Sequence, residues 1–455
     1  MSDTIAAIAT GNVVSAIGII RISGDSALRI ADAVFSPLSG KPLSSYPDRQ
    51  LVFGILRDAA GEPLDRCLAT VSRVGHSYTG EDTAELQCHG SPTVLRLALE
   101  ALFKAGARQA LAGEFTKRAF LNGCMDLTQA EAVIDLIDAD TALAAKNAAA
   151  QLGGTIGGKA NEIYDRLLEI IAHYQAVVDY PDEGVEDFAL AAYEQTFEAA
   201  GRELSALLSS FERGRILKSG VRAAILGRPN AGKSSLLNAL LGYERAIVTD
   251  IPGTTRDTVE EQLTLGGVKL LLADTAGVRE TSDPVEKLGV ERSKKAAEAA
   301  ELVLAVFDGG AALSDEDREV VETAKLAPKR IAVINKTDLP QILDVTALAS
   351  DFDAVCTISA LEGRGLDALS DVVAALFPLP EAPAGNILTN ARQADAVSRA
   401  LTSLNAALGA QRNGATPDIV LSETETALAA LGELTGRSLR EDVTERIFER
   451  FCVGK

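Results

Sequence analysis

Residues 227–234 read Gly-Arg-Pro-Asn-Ala-Gly-Lys-Ser, a glycine-rich run that ends in a cation and a hydroxyl. The run follows a strand-like stretch, residues 221–226, and precedes a helix-like stretch, residues 235–240. Between a strand and a helix, such a loop turns backbone N–H groups and the helix N-terminus toward anionic oxygens. Lys233 is therefore predicted to reach the β- and γ-phosphates of a nucleotide, and the Ser234 hydroxyl to bind Mg²⁺. The alternative, a chance glycine-rich turn, is disfavoured by the flanking elements.

Two further polar stretches follow this phosphate loop in chain order. Residues 249–257 contain the consecutive hydroxyls of Thr254 and Thr255, and Asp274-Thr-Ala-Gly277 follows the apolar strand predicted for residues 268–273. A threonine hydroxyl can bind Mg²⁺, an aspartate at a strand end can hold it through water, and a glycine N–H can sense the γ-phosphate. Taken alone, residues 249–257 would be an ordinary polar loop. Their place after the phosphate loop favours the interpretation that they bind Mg²⁺.

A fourth stretch selects the base. Residues 330–338 form a strand that ends in Asn335-Lys336-Thr337-Asp338. A single carboxylate, that of Asp338, can accept from both N1–H and the exocyclic amine of guanine, whereas adenine offers no such donor pair. Asn335 and Lys336 would brace the loop and the ring. A fifth stretch, Ser359-Ala360-Leu361, follows a short strand at residues 354–358 and completes the base pocket.

These five ordered elements predict a GTP site. The residues assigned to it are Asn230, Ala231, Gly232, Lys233, Ser234, Ser235, Thr249, Asp250, Ile251, Pro252, Gly253, Thr254, Thr255, Asp274, Thr275, Ala276, Gly277, Asn335, Lys336, Asp338, Ser359, Ala360 and Leu361.

The position after Gly277 departs from Ras-like GTPases, which place a water-orienting glutamine there. Val278 occupies it and cannot orient water. The sequence assigns no arginine finger, a group worth roughly 10³–10⁵ in rate. Catalysis must use something else, either a nearby carboxylate or a monovalent cation in place of the finger. Residues 278–286, predicted to be a loop, supply acids, although any one of them alone would read as a solvated surface acid.

Length and composition limit the number of domains, the cellular location and the kinds of partner that the chain can have. A chain of 455 residues predicts about three domains. No apolar run reaches the roughly 18 residues that span a bilayer, and the N-terminus lacks the basic region of a signal peptide. Five scattered cysteines and three dispersed histidines show no metal-binding spacing and fit a reducing cytosol, so a cytoplasmic location is expected. The net charge of −20 argues against a large basic nucleic-acid surface, so any RNA contact would need a local patch or a partner.

Three regions are predicted along the chain, giving a multidomain protein of α/β and all-α parts. Residues 1–118 alternate strands (16–22, 51–56, 67–72 and 83–88, with a hairpin turn at 58–62) and helices (25–35 and 92–105). Residues 119–217 are helical, with helices from 127, around 163–178 and over 190–212, and with glycines at 153–154 and 157–158 as candidate breaks. Residues 218–378 form the P-loop module, and residues 379–455 are again helical, with a last helix at 440–451. Helices on both sides predict one helical domain into which the P-loop module is inserted.

The chain ends in Phe-Cys-Val-Gly-Lys. Tails are usually frayed, which is the more typical reading. The alternative is that Cys452 and Lys455 bring a thiol and a cation to a shared site.

The P-loop, residues 249–257, residues 274–280 and this terminus resemble the MnmE (TrmE) family of tRNA modification GTPases. The stretches at 20–24, 78–82, 113–115 and 118–122 also resemble that family, so the likeness covers the whole chain. The nucleotide motifs alone are shared with ribosome-assembly GTPases, whereas the Cys-x-Gly-Lys terminus is specific to this family.

The resemblance implies an N-terminal domain that binds folate and dimerises, a helical domain and an inserted Ras-like GTPase domain. It implies a homodimer that works with a flavin- and NADH-dependent MnmG-type partner in a heterotetramer, with tRNA held largely through that partner. The implied product is a carboxymethylaminomethyl or aminomethyl group at C5 of the wobble uridine. A tetrahydrofolate supplies the one-carbon unit, and potassium-dependent dimerisation of the GTPase domains activates hydrolysis.

Site residues also follow from the resemblance. K⁺ would be held by Asn230 and by Thr249, Ile251 and Thr254 in loop 249–254, and Mg²⁺ by Ser234 and Thr255. Glu286 would orient water, Lys233 would stabilise charge, and Cys452 would take part in the modification chemistry or its fidelity. The folate positions are Arg21, Glu85, Cys124 and Lys455, where Arg21 and Lys455 suit the glutamate-tail carboxylates and Glu85 the donor edge of the pterin.

Two departures concern the folate site. Cys124 stands where the family usually has Lys or Arg, and residues 11–15 replace its usual Pro-Pro-Gly segment. The missing cation predicts weaker or altered folate binding. Two other functions stay open on the residues: a ribosome-assembly GTPase, which would need a basic RNA-binding domain that is not evident, and a GTP-driven scaffold that acts as a conformational switch.

Overall fold

The computed structural model describes residues 3–11, 13–179, 190–243, 261–272, 286–379, 385–438, 447–449, 451, 453 and 454. Within them the chain forms two compact units. The first unit is Met1–Ile137, Ala148–Leu204 and Asp395–Lys455, and the second is Asp138–Asn147 and Ser205–Ala394. The predicted α/β and all-α composition is confirmed, because the first unit combines a sheet with long helices and the second is a sheet flanked by helices.

The first unit is built on a largely antiparallel sheet. Its described strands are β1 (Ile5–Ile8), β2 (Ser15–Ser23), β3 (Phe35–Pro37), β4 (Val52–Arg57), β5 (Pro63–Ser72), β6 (Thr83–Gly90) and β7 (Arg108–Gln109). They lie in the order β3-β4-β5-β6-β2-β1-β7, and only the β1–β7 pair is parallel. The hairpin predicted around residues 58–62 is confirmed as β4 and β5. One face of the sheet is buried under apolar helices, which explains the alternation of buried and partly exposed residues along β5.

The described helices of the whole chain are α1 (Ala27–Val34), α2 (Pro92–Lys104), α3 (Glu114–Leu121), α4 (Leu127–Ile137), α5 (Ala142–Leu152), α6 (Thr155–Asp179), α7 (Leu190–Ser209), α8 (Phe211–Ser219), α9 (Lys233–Tyr243), α10 (Glu286–Ala299), α11 (Asp315–Ala324), α12 (Leu366–Leu376), α13 (Ala391–Arg412) and α14 (Pro417–Thr435). Leu43–Ser45 and Val345–Ala347 are short 3-10 helices. No described helix is both long and apolar enough to cross a membrane.

The predicted breaks in the helical region are partly wrong. Gly153 and Gly154 do separate α5 from α6, but Gly157 and Gly158 lie inside α6. A Cβ on Gly157 would lie 1.8 Å from an Asp126 carboxylate oxygen, so this glycine permits a close approach to the start of α4. The helix predicted over 190–212 ends at Ser209 and resumes as α8 after Ser210, whose hydroxyl accepts from the Leu388 N–H at 3.0 Å. Most of the helix predicted at 440–451 lies outside the described residues.

The second unit contains a twisted sheet of mostly parallel strands. Its described strands are β8 (Val221–Leu226), β9 (Glu261–Leu265), β10 (Val268–Leu272), β11 (Leu302–Asp308), β12 (Lys329–Asn335) and β13 (Ala354–Thr357). Their order is β13-β12-β11-β8-β10-β9, and only β9 runs antiparallel to its neighbour. Apolar clusters cover both faces of the sheet, which is why β11 and β12 read as continuous apolar runs. The carboxyl ends of β8, β11, β12 and β13 therefore meet at one edge, which is where such folds bind ligands.

Candidate functional site

The phosphate loop joins the end of β8 to the start of α9 at Lys233. Asn230 and Gly232 have φ values of 62° and 103°. A Cβ on Gly232 would lie 2.1 Å from Nδ2 of Asn335, so only glycine fits against that amide. The loop therefore packs closely against Asn335 just before α9 begins.

Lys233 is held inside the loop. Its Nζ donates to the carbonyl oxygens of Gly227 at 2.8 Å and Arg228 at 3.0 Å. Burial lowers the pKa of Lys233 because the charged ammonium loses solvation. An anionic phosphate at the helix N-terminus would offer this ammonium a better partner than two neutral carbonyls.

Asn335 joins the phosphate loop, residues 227–234, to residues 359–361, which are called the base loop below. Its side chain is 3% exposed, its Nδ2 donates to the Ala231 carbonyl at 3.2 Å, and its Oδ1 accepts from the Ala360 N–H at 3.0 Å. One buried amide thus fixes two loops that are far apart in sequence. The role of Asn335 toward a nucleotide stays a prediction from the sequence.

Asp338 contacts Ser359, the residue before Ala360 in the base loop. Its Oδ1 accepts a 2.6 Å hydrogen bond from the Ser359 hydroxyl, which holds the pKa of Asp338 below its ordinary value. Its carboxylate is therefore ionised near neutral pH and able to accept from two donors of a base. Leu361, two residues after Ser359, is 85% exposed and so presents an apolar surface next to the residue that holds Asp338.

Two acids of the second unit were not predicted from the sequence but fix the same loops. Asp308, at the end of β11, accepts from Lys336 Nζ at 2.7 Å. Burial opposes its ionisation, but this hydrogen bond and the Gly310 N–H keep the pKa of Asp308 below its ordinary value. Asp317, nearly fully buried in the first turn of α11, lies 3.2 Å from Arg228 Nε of the phosphate loop. Ser314 and Asp317 form a capping box at the start of this helix, and their spacing of three residues is the signal in the sequence that could have predicted it.

Several predicted residues cannot be compared with the structure. Residues 249–255, residues 274–277, Cys452 and Lys455 lie outside the described residues. Glu286, predicted at the end of a loop, is the first residue of α10, and its side chain is not described. Ser234 and Ser235 lie in the first turn of α9, behind Lys233.

The candidate folate positions Arg21 and Glu85 face each other across β2 and β6. They are register partners, and Arg21 Nε lies 2.9 Å from Glu85 Oε1. The Arg21 guanidinium also lies 5.2 Å from the ring centroid of Tyr78 and 5.7 Å from that of Phe115. Burial raises the pKa of Tyr78, so its hydroxyl stays neutral. The group is an acid and a cation beside two aromatic faces, which suits a flat polar ring with carboxylates.

Cys124 lies beside the loop before β6. It is exposed, and a Cβ on Gly80, which has a φ of 77°, would lie 2.9 Å from its Sγ. The neighbouring Asn122 donates to the Thr79 carbonyl at 2.7 Å. The side chain at this position is thus an exposed cysteine close to Gly80 and is not a lysine or an arginine.

The C-terminal tail meets the same sheet. Val453 forms an antiparallel bridge with Ala112, and Gly454 has a φ of 101°. A Cβ on Gly454 would lie 2.4 Å from the Ile8 carbonyl. Ile8 is next to Ala7, the register partner of Arg21. Val453 and Gly454 lie between Cys452 and Lys455. Val453 thus pairs with Ala112, and Gly454 lies against β1, the strand next to the one that carries Arg21.

A buried ionic network fixes the surroundings of this group. Arg118 of α3 is 9% exposed and lies 2.9 Å from Glu114 and 3.0 Å from Glu81. Glu81 also accepts from the Ser23 hydroxyl at 2.7 Å, and Arg108 pairs with Glu114. The network ties α3 to the loop before β6. The contacts of Glu81 with Arg118 and Ser23 join residues far apart in sequence, whereas Glu114 pairs with Arg118 and Arg108 locally.

Two family models match the chain. One, described as the MnmE helical domain, matches residues 127–452, and the other, GTP-binding protein TrmE N-terminus, matches residues 4–124.

Curated relatives match over the full length. Proteins named tRNA modification GTPase MnmE from Roseiflexus sp. (strain RS-1) and Symbiobacterium thermophilum are each 45% identical, over 100% of this chain and 99% of theirs. The relative of that name from Clostridioides difficile is 40% identical over 100% of both chains. Among solved structures, the G domain of the T. maritima FeoB iron transporter is 28% identical over 34% of this chain and 97% of its own, with a TM-score of 0.26.

Proposed function

Because the chain belongs to the MnmE family of tRNA modification GTPases, we propose that it binds and hydrolyses GTP and couples this hydrolysis to the modification of tRNA. One observation carries the proposal within the structure. Asn335 donates to the Ala231 carbonyl of the phosphate loop and accepts from the Ala360 N–H, so one side chain links the loop that carries Lys233 to the residues beside Asp338. This link supports the proposal of a ligand with phosphates near Lys233 and a guanine near Asp338.

Binding at the phosphate end depends on Lys233 and on the N-terminus of α9. The ammonium moves its hydrogen bonds from the Gly227 and Arg228 carbonyls to phosphate oxygens, where the charge-assisted bonds are stronger. Arg228, paired with buried Asp317, holds the loop in place while this exchange occurs.

Recognition at the base end depends on Asp338. Its carboxylate accepts from N1–H and the exocyclic amine of guanine, while Ser359 keeps it ionised and oriented. Adenine would leave this acid without a donor pair, so it is excluded.

Mg²⁺ and K⁺ are the ions we assign to this site. The Ser234 hydroxyl, in the first turn of α9, suits Mg²⁺, which favours oxygen ligands, with Thr255 as its second protein ligand. Asn230 is exposed on the phosphate loop in a left-handed conformation, which presents an amide oxygen suited to K⁺, with Thr249, Ile251 and Thr254 as its other partners. When bound there, the ions would supply positive charge beside the phosphate oxygens.

Glu286 is the residue that we propose orients the attacking water. It begins α10, directly after residues 274–285, and Val278 cannot serve. Lys233 stabilises the phosphate charge as water attacks in line with the leaving oxygen.

The tRNA chemistry belongs to the first unit in this proposal. Arg21, Glu85, Cys124 and Lys455 would hold a tetrahydrofolate derivative, which would supply one carbon for a carboxymethylaminomethyl or aminomethyl group at C5 of the wobble uridine. What supports this is the Arg21–Glu85 pair under Tyr78 and the docking of Gly454 beside Ile8. Cys452 takes part in that chemistry or its fidelity.

We also propose the assembly that this chemistry needs. The chain acts in the cytoplasm as a homodimer with a flavin-dependent MnmG-type partner, in a heterotetramer. The net charge of −20 favours tRNA binding largely through that partner. In the domain assignment, residues 1–118 bind folate, 119–217 and 379–455 form the helical domain, and 218–378 form the GTPase domain.

The GTPase proposal is tested by measuring phosphate release from GTP in KCl and in NaCl at equal ionic strength. We expect hydrolysis in potassium that falls at least about tenfold in sodium and that is lost in Glu286→Ala while GTP binding persists. Glu291→Ala is the matched control, since Glu291 is an exposed acid of the same helix. Hydrolysis by Glu286→Ala at the wild-type rate would remove the assignment of that residue, and no hydrolysis by the wild type in either salt would contradict the activity.

A further inference from the structure

Three ligand-type side chains meet at the buried face of the first unit's sheet. A carboxylate oxygen of Asp65 and the Sγ atoms of Cys67 and Cys88 all lie within 4.8 Å of one another. Both cysteines are free and buried, with exposures of 5% and 2%. The three residues come from β5 and β6, two neighbouring antiparallel strands.

Strand register brings these side chains together. Leu68 pairs with Gln87, so Cys67 and Cys88 are the next residues outward on the two strands. Asp65 is two residues before Cys67 and therefore lies on the same face of β5. Glu85 is three residues before Cys88 on β6, and because side chains alternate along a strand, it lies on the other face of the sheet. The cluster of Asp65, Cys67 and Cys88 is therefore separate from the group that Arg21 forms with Glu85 and Tyr78.

Asp65 is held in place by its neighbours. Its Oδ2 accepts from the His89 N–H at 2.9 Å, and its Oδ1 accepts from the Arg66 N–H at 2.7 Å and lies 2.8 Å from His89 Nδ1. His89 is 74% exposed, so the cluster lies just below the surface. Two buried cysteines alone would be ordinary apolar filling, but apolar filling does not call for an oriented carboxylate beside both sulfurs.

We propose that Asp65, Cys67 and Cys88 bind one divalent ion of the zinc class. Two thiolates and one carboxylate oxygen are a donor set that suits zinc, which takes four ligands in a tetrahedron. Binding replaces the two thiol protons, which are released to solvent, and leaves the fourth position for water or another donor. His89 orients the carboxylate, as a hydrogen-bonded neighbour commonly does for a metal ligand.

The test uses the full-length, untagged and reduced chain, free of nucleotide and saturated with Mg²⁺. Cobalt(II) is titrated as a spectroscopic probe, followed by zinc. We expect tetrahedral d–d bands and a thiolate charge-transfer band that saturate at about one cobalt per chain and disappear when zinc displaces it. Cys67→Ala and Cys88→Ala should each lose the thiolate band, whereas Asp65→Asn should weaken cobalt binding at least about tenfold.

The chain offers matched controls. Cys356→Ala removes another buried thiol, in β13 of the second unit, and Cys124→Ala and Cys452→Ala remove the others outside the cluster. All three should keep the spectrum. In the wild type, zinc should also slow alkylation of Cys67 and Cys88 at least about tenfold, as measured by peptide mass spectrometry, which does not depend on whether a variant folds. No thiolate band in the wild type, a band that survives both cluster substitutions, or alkylation that is insensitive to zinc would overturn the proposal.

Discussion

The two candidate sites differ in how the chain assembles them. In the second unit, Lys233, Asn335, Asp338 and Ser359 follow the ends of parallel strands, so the sheet alone brings their loops to one edge. In the first unit, Arg21 and Glu85 meet through the register of antiparallel strands. The tail that docks beside them arrives from the other end of the chain. The first kind of site depends on local turns, and the second on long-range packing.

This contrast predicts that each site can be damaged without affecting the other. Substitutions in the loops of the second unit should change nucleotide binding and leave folate binding intact. Substitutions at the Arg21 group or at the tail should do the reverse.

The largest effect is expected at Asp338. Asp338→Asn replaces an acceptor pair by one acceptor and one donor, which no longer fits guanine but fits xanthine. GTP affinity should fall at least about 100-fold, and XTP affinity should rise, in competition against a fluorescent nucleotide. Asp344→Asn is the control, an exposed acid that caps a short 3-10 helix. Equal affinities of the variant for GTP and XTP would break the assignment of the base pocket.

A smaller effect is expected at Arg21. Loss of a charge-assisted contact costs about 1.5–3 kcal/mol, so Arg21→Ala should weaken the binding of a reduced folate by roughly 10–100-fold. Isothermal titration with a tetrahydrofolate measures this, and the affinity for GTP should not change. Arg96→Ala, at an exposed arginine of α2, is the control. Folate binding by Arg21→Ala as tight as that of the wild type would remove Arg21 from the site.

A substitution in the C-terminal tail should lower folate affinity less than the loss of Arg21. Gly454 has a left-handed φ, and a side chain there would meet the Ile8 carbonyl, so Gly454→Val should undock the tail. The strain in the docked state is about 1–3 kcal/mol, and folate affinity should fall by roughly tenfold, the lower end of the range expected for Arg21→Ala. Gly414→Val tests the effect of φ alone, because Gly414 has a φ of 66° and open space around its Cβ position. If both variants bind folate equally, the docked tail is not part of the site.

The smallest effect concerns pH. Burial alone would raise the pKa of Glu114, but hydrogen bonds from Arg108, the Leu111 N–H and Arg118 hold it below its ordinary value of 4.5. Because the folded pKa is depressed, this contribution to the free energy of unfolding is complete above 4.5 and is lost as pH falls through the folded value.

Urea unfolding from about pH 6 to pH 3 measures that loss, and Glu114→Gln should flatten the dependence. Glu62→Gln, at an exposed acid on the β4–β5 turn, should leave it as in the wild type. A slope in Glu114→Gln as steep as that of the wild type would show that Glu114 contributes nothing to the pH dependence of unfolding.

The same contrast explains what the sequence could predict. The order of the nucleotide motifs, strand β12 and the hairpin of β4 and β5 follow from spacing and alternation, because turn chemistry and strand ends are local properties. Local patterns missed the close approach of Asp126 to Gly157, a glycine that lies inside a helix. They also missed the ion pair of Arg228 with Asp317 and the meeting of Gly454 with Ile8, because those partners are fixed only by tertiary packing.

The central claim is that GTP hydrolysis by this chain serves the modification of tRNA. The most direct test is nucleoside mass spectrometry of total tRNA from cells that lack the protein, with and without a rescuing copy. We predict loss of the C5-modified wobble uridine and its return with the wild-type copy, but not with Glu286→Ala. Unchanged nucleosides in the cells without the protein would contradict the claim, even if GTP hydrolysis is measured in the purified chain.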